Sequence, residues 1–274
     1  MSHKKMYLVT LANNTYQYEF VVLFTLAQAL GWKIHVAGVG AEWKGWRTKM
    51  EVYAAAVKHI AESEPEAMVV CADAYDVLAL KGPYDFSKIA LRLTSKPMIV
   101  SAETFCGSNC RPLQHYDSDT QRKYANAGLL CGRAAHVSNM WHALLDTSWS
   151  DDQVALSEYM DQRPELFFLD TKAVLLQTST GKLSDDDISD DTIDGLGPAF
   201  LHLPGLADPK HVKQRQVYTL VLSEVARRIQ LDHILTTRWA SRHVPFQGTF
   251  ITYSLIATVI LLTIALVHAH WKSG

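Results

Sequence analysis

Two carboxylates close together follow a short apolar run, in Cys71-Ala72-Asp73-Ala74-Tyr75-Asp76. On the turn that leaves a buried strand, both can point to one side. Hard divalent cations such as Mg²⁺ or Mn²⁺ take oxygen ligands and complete their shell with phosphate oxygens. A diphosphate leaving group needs that charge as its bond breaks. Asp73 and Asp76 therefore suit a metal cradle. They suit a turn with an Asp helix cap equally well, because short acidic side chains bond nearby backbone amides.

Other reactive groups lie downstream. Ser101-Ala102-Glu103 closes another apolar run and brings a further carboxylate. Asn126-Ala127-Gly128 reads as a small-residue turn before a short apolar strand, where backbone can approach a ligand closely. Asp151-Asp152-Gln153 follows an aromatic stretch ending in Trp149 and can open a helix, with Asp151 as its cap or as a functional group. His202 lies in Phe200-Leu201-His202-Leu203-Pro204-Gly205, a strand-to-turn transition. A lone histidine there is more often structural than a ligand.

The surrounding elements alternate. Met6 to Leu11 is apolar and partly β-branched, and a helical pattern runs from Tyr18 to Leu30 with Gly31 as its C-terminal stop. Lys33 to Val39 is a second strand, Gly40 to Trp46 a loop bearing Trp and Gly, and Lys49 to Ser63 a second helix. Ala67 to Cys71 and Pro97 to Ala102 are wholly or largely apolar, as buried parallel strands are. This alternation predicts an α/β sandwich with a mostly parallel sheet. Ligands of such sheets sit at the carboxyl ends of the strands, where Asp73 and Glu103 fall.

On these residues the chain resembles the glycosyltransferase domain of the multifunctional lysyl hydroxylases and the related collagen glycosyltransferases, a family also represented in large DNA viruses. The resemblance runs from about residue 6 to 206. Gly38 to Gly45 resembles the family's Gly, Glu-Trp, Gly loop. Asp73-Ala74-Tyr75-Asp76-Val77 resembles its Asp-x-Tyr-Asp-Val metal motif, and Ser101 to Cys106 its Ser-Ala-Glu-x-x-Cys strand end. Asn126-Ala127-Gly128, Asp151-Asp152-Gln153, Leu169-Asp170 with Leu176-Gln177, and His202 resemble later family motifs in the same order. Each segment alone is weak; their shared order carries the resemblance.

The resemblance implies a GT-A-type, Rossmann-like α/β/α sandwich, a UDP-sugar donor and Mn²⁺, or Mg²⁺ in its place. It implies Asp73, Asp76 and His202 as metal ligands. Val9 and Thr10 would border the uridine, Tyr75 the base or ribose, Lys49 the diphosphate, and Gly205 would join the donor-binding residues. Asp152, with Asp151, Asn126 and Glu103, would serve the catalytic centre, Asp152 nearest the anomeric carbon, and transfer would retain configuration. The chain departs from the family pattern at Trp46, where another glycine is usual, at Leu203-Pro204-Gly205 after His202, and at Ala127. These departures leave donor sugar and acceptor open.

The bulk numbers exclude more than they assign. With 274 residues and 48% hydrophobic content the chain can bury a full core. A net charge of -2 and the lack of a basic, aromatic-interleaved stripe argue against nucleic acid. Neither a P-loop, a dinucleotide fingerprint nor a GxSxG motif is present. Among the cysteines, Cys106 and Cys110 could bridge or bind metal, though reduced, partly buried thiols are the simpler reading.

Thr249 to Val267 carries no charged residue over a length that matches the roughly 20 residues of a bilayer span. Tyr253 and Trp271 flank it as interfacial aromatics, and Arg238 and Arg242 precede it, suited to anionic headgroups. The expected organisation is a catalytic domain over 1–210, a helical connector over 211–247 and a membrane anchor over 248–274. Without an N-terminal signal sequence, the catalytic domain is expected on the cytosolic side. Expected partners are the UDP-sugar, a glycan or glycoprotein acceptor and membrane lipid; a homodimer is left open. Two rivals keep the same residues: a non-catalytic nucleotide-sugar-binding scaffold, and a metal-dependent phosphohydrolase or nucleotidyltransferase.

Overall fold

The computed structural model describes residues 5–107, 110–116, 120–179 and 197–205, with 215, 218, 219 and 221–223. Its strands are β1 Met6–Leu11, β2 Lys33–Ala37, β3 Met68–Asp73, β4 Val77–Ala79, β5 Met98–Glu103, β6 Tyr124–Arg133, β7 Phe167–Asp170, β8 Leu176–Thr178 and β9 Phe200–His202. Its helices are α1 Tyr18–Ala29, α2 Trp46–Ser63, α3 Pro83–Leu93, α4 Ala134–Leu145 and α5 Asp152–Gln162. The strands form one sheet in the order β2-β1-β3-β6-β5-β8-β9-β4, with β7 beside β5.

Side-chain alternation along the strands builds two cores. Tyr7, Val9, Leu11, Val69, Cys71 and Leu130 face one layer, where Met50, Tyr53 and Val57 of α2 and Trp141 of α4 pack. Leu8, Val70, Ala72, Leu129 and Cys131 face the other, against Leu23 and Ala27 of α1 and Phe86 of α3. The apolar buried residues of α2 recur with helical spacing, Met50, Tyr53, Ala54, Val57 and Ile60, so one stripe meets the sheet while Arg47, Glu51, Lys58 and Glu62 face water. Tyr53 stacks on Trp141 at 5.0 Å between ring centroids, locking α2 to α4. Gly31, at φ 83, ends α1 in the left-handed conformation that its sequence position predicts.

Three features differ from the sequence reading. The sheet is mostly parallel, as expected, but not purely so: β6 runs antiparallel to both β3 and β5, and β4 antiparallel to β9, while the other pairings among the described residues are parallel. Asn126-Ala127-Gly128 is no turn but part of the ten-residue strand β6: Asn126 pairs with Ser101, and Ala127 and Gly128 fall in the register shift at Val100/Ser101. All three are buried within the strand, so the small residues serve an irregular stretch of sheet. Cys106 and Cys110 are joined in a disulfide, whereas Cys71 and Cys131 are free and buried.

Among the described residues no helix is long and apolar enough to cross a membrane. The run 249–267, Arg238 and Arg242, the acidic stretch 184–194 and most of 211–247 lie outside the described residues. Tyr218, Val221 and Leu222 are described; they pack on Val22, Leu26, Leu78 and Leu201.

Candidate active site

Asp73 is the last residue of β3, and Asp76 stands immediately before β4. β4 pairs antiparallel with β9 so that Val77 lies opposite His202. The Leu203 amide donates to the Asp76 carbonyl at 2.8 Å, and the Gly205 amide to Asp76 Oδ2 at 3.3 Å. The strand pairing therefore brings together two carboxylates and an imidazole far apart in sequence. One ligand atom from each of Asp73, Asp76 and His202 lies within 4.8 Å of the others. His202 Nε2 is 3.2 Å from Asp76 Oδ1 and 4.0 Å from Asp73 Oδ2.

The cluster has the polar character of a cation site. His202 Nε2 and Asp76 Oδ1 are both buried without a well-formed hydrogen bond. Burying such atoms unpaired is costly, and a divalent cation between them would remove the cost. Burial works against the charged imidazole of His202, but the carboxylates of Asp76 and Asp73 outweigh it and raise its pKa. The same negative potential would attract a cation. Gly128 makes the cluster possible: a Cβ there would strike the His202 ring and come within 2.6 Å of Asp73 Oδ2.

Lys49 links this cluster to Asp152. Its Nζ is 2.8 Å from Asp73 Oδ1 and 2.9 Å from Asp152 Oδ2, and the lysine is only 4% exposed. Burial alone would lower the lysine pKa, yet Asp152 and Asp73 outweigh it and raise it. Burial also raises the pKa of Asp152, and Lys49 offsets this in part. Two short contacts to one ammonium favour a charged Lys49 between two carboxylates. The ring of Trp46 lies 5.6 Å from the same Nζ and packs edge-on against Trp43, and both indoles are partly exposed.

The remaining candidates have definite places. Asp151 caps α5, its Oδ1 accepting from the amides of Gln153 at 2.9 Å and Val154 at 3.0 Å. That sets Asp152 in the first turn and turns Gln153 toward Glu103. Glu103 is buried; desolvation raises its pKa to about 7, against the lowering effects of His202, Asn126 and Gln153. Asn126 Nδ2 donates to Glu103 Oε2 at 3.2 Å, and its Oδ1 lies 2.9 Å from His202 Nδ1. Asn126 and Glu103 thus lie behind His202. Val9 is fully buried in the core, while the Thr10 hydroxyl is buried with no hydrogen-bond partner among the described residues. The Tyr75 hydroxyl is held by Asn13 Oδ1 at 2.8 Å and by the Asn14 amide at 3.0 Å.

Thr178 escaped the sequence reading, and several motif residues take places that it did not assign. Thr178 Oγ1 lies 3.5 Å from His202 Nδ1 and 2.9 Å from Ser101 Oγ. The Gln153 amide also touches Cys106 Sγ at 3.2 Å, so the disulfide adjoins the Glu103 network. Asp170 accepts from the amides of Val174, Leu175 and Leu176 at 3.0, 2.7 and 2.8 Å and shapes the turn into β8. A signal for Gly128 was present in the sequence, since a glycine inside an apolar strand marks close approach.

The chain belongs to the PLOD GT domain family, whose profile matches residues 2–193, and it is a glycosyltransferase. A solved glycosyltransferase involved in the glycosylation of the major capsid of PBCV-1 has a similar fold, with a TM-score of 0.50 at 10% identity, covering 77% of this chain and 97% of that one. No curated protein matches the sequence.

Proposed function

We propose that this glycosyltransferase moves a sugar from a UDP-sugar to a hydroxyl of a glycan or glycoprotein, with a divalent cation and with retention at the anomeric carbon. The observation that carries the metal is the convergence of Asp73, Asp76 and His202, with His202 Nε2 and Asp76 Oδ1 buried and facing one another at 3.2 Å without a well-formed hydrogen bond. These residues would hold Mn²⁺ or Mg²⁺, which when bound neutralises charge on the leaving diphosphate. The family supports the nucleotide sugar as donor. The buried Thr10 hydroxyl near the end of β1, with no hydrogen-bond partner among the described residues, suits a polar ligand there.

The protein's own groups then have separable tasks. Lys49, between Asp73 and Asp152, keeps both carboxylates compensated before donor binds and offers its ammonium to the diphosphate afterwards. Asp152 serves the sugar, as a carboxylate that stabilises positive charge developing at the anomeric carbon. Asp151 fixes the first turn on which Asp152 rides. Orientation of donor and acceptor in this buried setting supplies much of the remaining rate gain. Thr249 to Val267 anchors the enzyme to a membrane, a reading carried by its uncharged length.

The test is donor hydrolysis by the full chain in detergent, with UDP-glucose, UDP-galactose and UDP-xylose, with Mn²⁺ and with EDTA. The expected result is UDP release from one donor, lost in EDTA and restored by Mn²⁺. Release that ignores EDTA overturns the metal. Release of inorganic phosphate instead of UDP makes the chain a phosphohydrolase, and UDP binding without turnover makes it a scaffold.

A further inference from the structure

Behind the metal cradle runs a buried polar chain for which sugar transfer itself has no evident use. His202, Asn126 and Glu103 are 2%, 4% and 3% exposed. Asn126 Oδ1 accepts from the Gly128 amide at 2.9 Å. A backbone amide can only donate, so this bond fixes which end of the Asn126 side chain is oxygen. The other end, Nδ2, then faces Glu103 Oε2 at 3.2 Å and Gln153 Oε1 at 3.5 Å, both acceptors. The remaining Glu103 oxygen accepts from Gln153 Nε2. Each of these donors meets an acceptor, and the Gly128 amide fixes the orientation of Asn126.

The consequence falls on His202. Its Nδ1 lies 2.9 Å from Asn126 Oδ1, an atom that can only accept, so Nδ1 carries a proton. Thr178 Oγ1, 3.5 Å from the same nitrogen, does not oppose this, because a hydroxyl can turn its hydrogen toward Ser101. With Nδ1 protonated, Nε2 is the nitrogen able to offer a lone pair, and it faces Asp76 Oδ1 and Asp73 Oδ2.

We propose that Asn126 and Glu103 are positioning residues: Glu103 orients Asn126, and Asn126 holds His202 as the Nδ1–H form with Nε2 aimed into the cradle. The proposal rests on the metal reading given above. Ligating histidines depend in this way on the group at their second nitrogen, and losing that group typically weakens metal binding about 10–100-fold. The same site could otherwise present a protonated Nε2 to the carboxylates and close itself with a hydrogen bond.

Two measurements on the full chain test it. The first is ¹⁵N NMR of the histidine rings in metal-free protein, at a pH high enough that the His202 ring is neutral and holds a single proton, with His202 assigned by comparison with His202→Gln. A protonated Nδ1 is expected, and a bare Nδ1 overturns the proposal. The second is Mn²⁺ affinity, read from the electron paramagnetic resonance of free Mn²⁺. Asn126→Leu removes the acceptor at Nδ1 and Glu103→Ala removes the acceptor at Asn126 Nδ2; each should weaken Mn²⁺ about 10–100-fold. Asn126→Asp and Glu103→Gln keep an oxygen at those places and should bind Mn²⁺ more tightly than the corresponding truncations. Truncations that bind like wild type, or conservative variants as weak as the truncations, overturn the proposal. If wild type takes up no Mn²⁺, the metal reading falls, and the His202 Nδ1 proton alone decides the chain.

Discussion

Asp73 and His202 face one another but arrive by opposite routes. Asp73 ends a six-residue strand paired along its length with β1 and, for most of it, with β6. Its place follows from a continuous backbone ladder with apolar layers on both sides. His202 ends a three-residue strand whose neighbours β8 and β4 are equally short. Short ladders on both sides place its backbone, and the ring is held by Asn126, which Glu103 in turn contacts. One half of the site is positioned by the sheet, the other by side-chain hydrogen bonds. Changes in the first half should cost chemistry alone; changes in the second should cost chemistry through a loss of order.

The largest effect tests the sheet-held half. Asp73→Ala should lower turnover on the order of 10²–10³-fold, the several kcal/mol a missing metal ligand removes from the transition state. The fold should survive, because β3 keeps its pairing and Lys49 keeps Asp152. Turnover assays with circular dichroism and thermal melts check both parts. Wild-type turnover at low Mn²⁺ would break the metal assignment. A collapsed fold would show that the buried charge, not the ladder, holds this half.

The network-held half should reveal itself through pH. Glu103 has its pKa raised to about 7 by burial. A carboxyl raised in the folded state binds more protons folded than unfolded between its two pKa values. Stability should therefore fall as pH rises from the ordinary carboxylate range through about 7, and level off above it. The contribution is at most roughly 3 kcal/mol, from the size of such a shift. Melting temperatures from pH 4.5 to 8.5 measure it, and Glu103→Gln should flatten the slope whatever its own stability. An unchanged slope in that variant would move the effect to another group.

The same contrast explains what could be read in the sequence. The helix stop at Gly31, the periodic face of α2 and the apolar strands are local patterns, and each was legible because a few neighbouring residues specify it. The Asp73/Asp76 pair was legible for the same reason. The three-residue strands β4 and β8 were not, since their conformation comes from partners distant in the chain, β9 for β4 and β5 for β8. Asn126 was read at a turn facing substrate. Sequence shows its small neighbours but not the antiparallel partner that makes them a strand, nor the imidazole that meets its oxygen. The Cys106–Cys110 bridge was similarly open, because spacing of four allows a bond without requiring one.

The smallest effect separates two adjacent carboxylates with different duties. Asp151 spends its Oδ1 on the amides of Gln153 and Val154, the bonding pattern of a helix cap, while Asp152 turns inward to Lys49. Replacing an N-cap by alanine costs about 1 kcal/mol. Asp151→Ala should lower the melting temperature by a few degrees, roughly 2–4 °C per kcal/mol for a domain of this size. Turnover should fall much less than in Asp152→Asn, where the ammonium of Lys49 loses a charged partner beside the cradle. Asp151→Asn, which keeps a capping oxygen, should recover most of the lost stability. If Asp151→Ala and Asp152→Asn lose turnover equally while Asp151→Asn recovers stability but no activity, both carboxylates serve the reaction and the division between cap and catalyst fails.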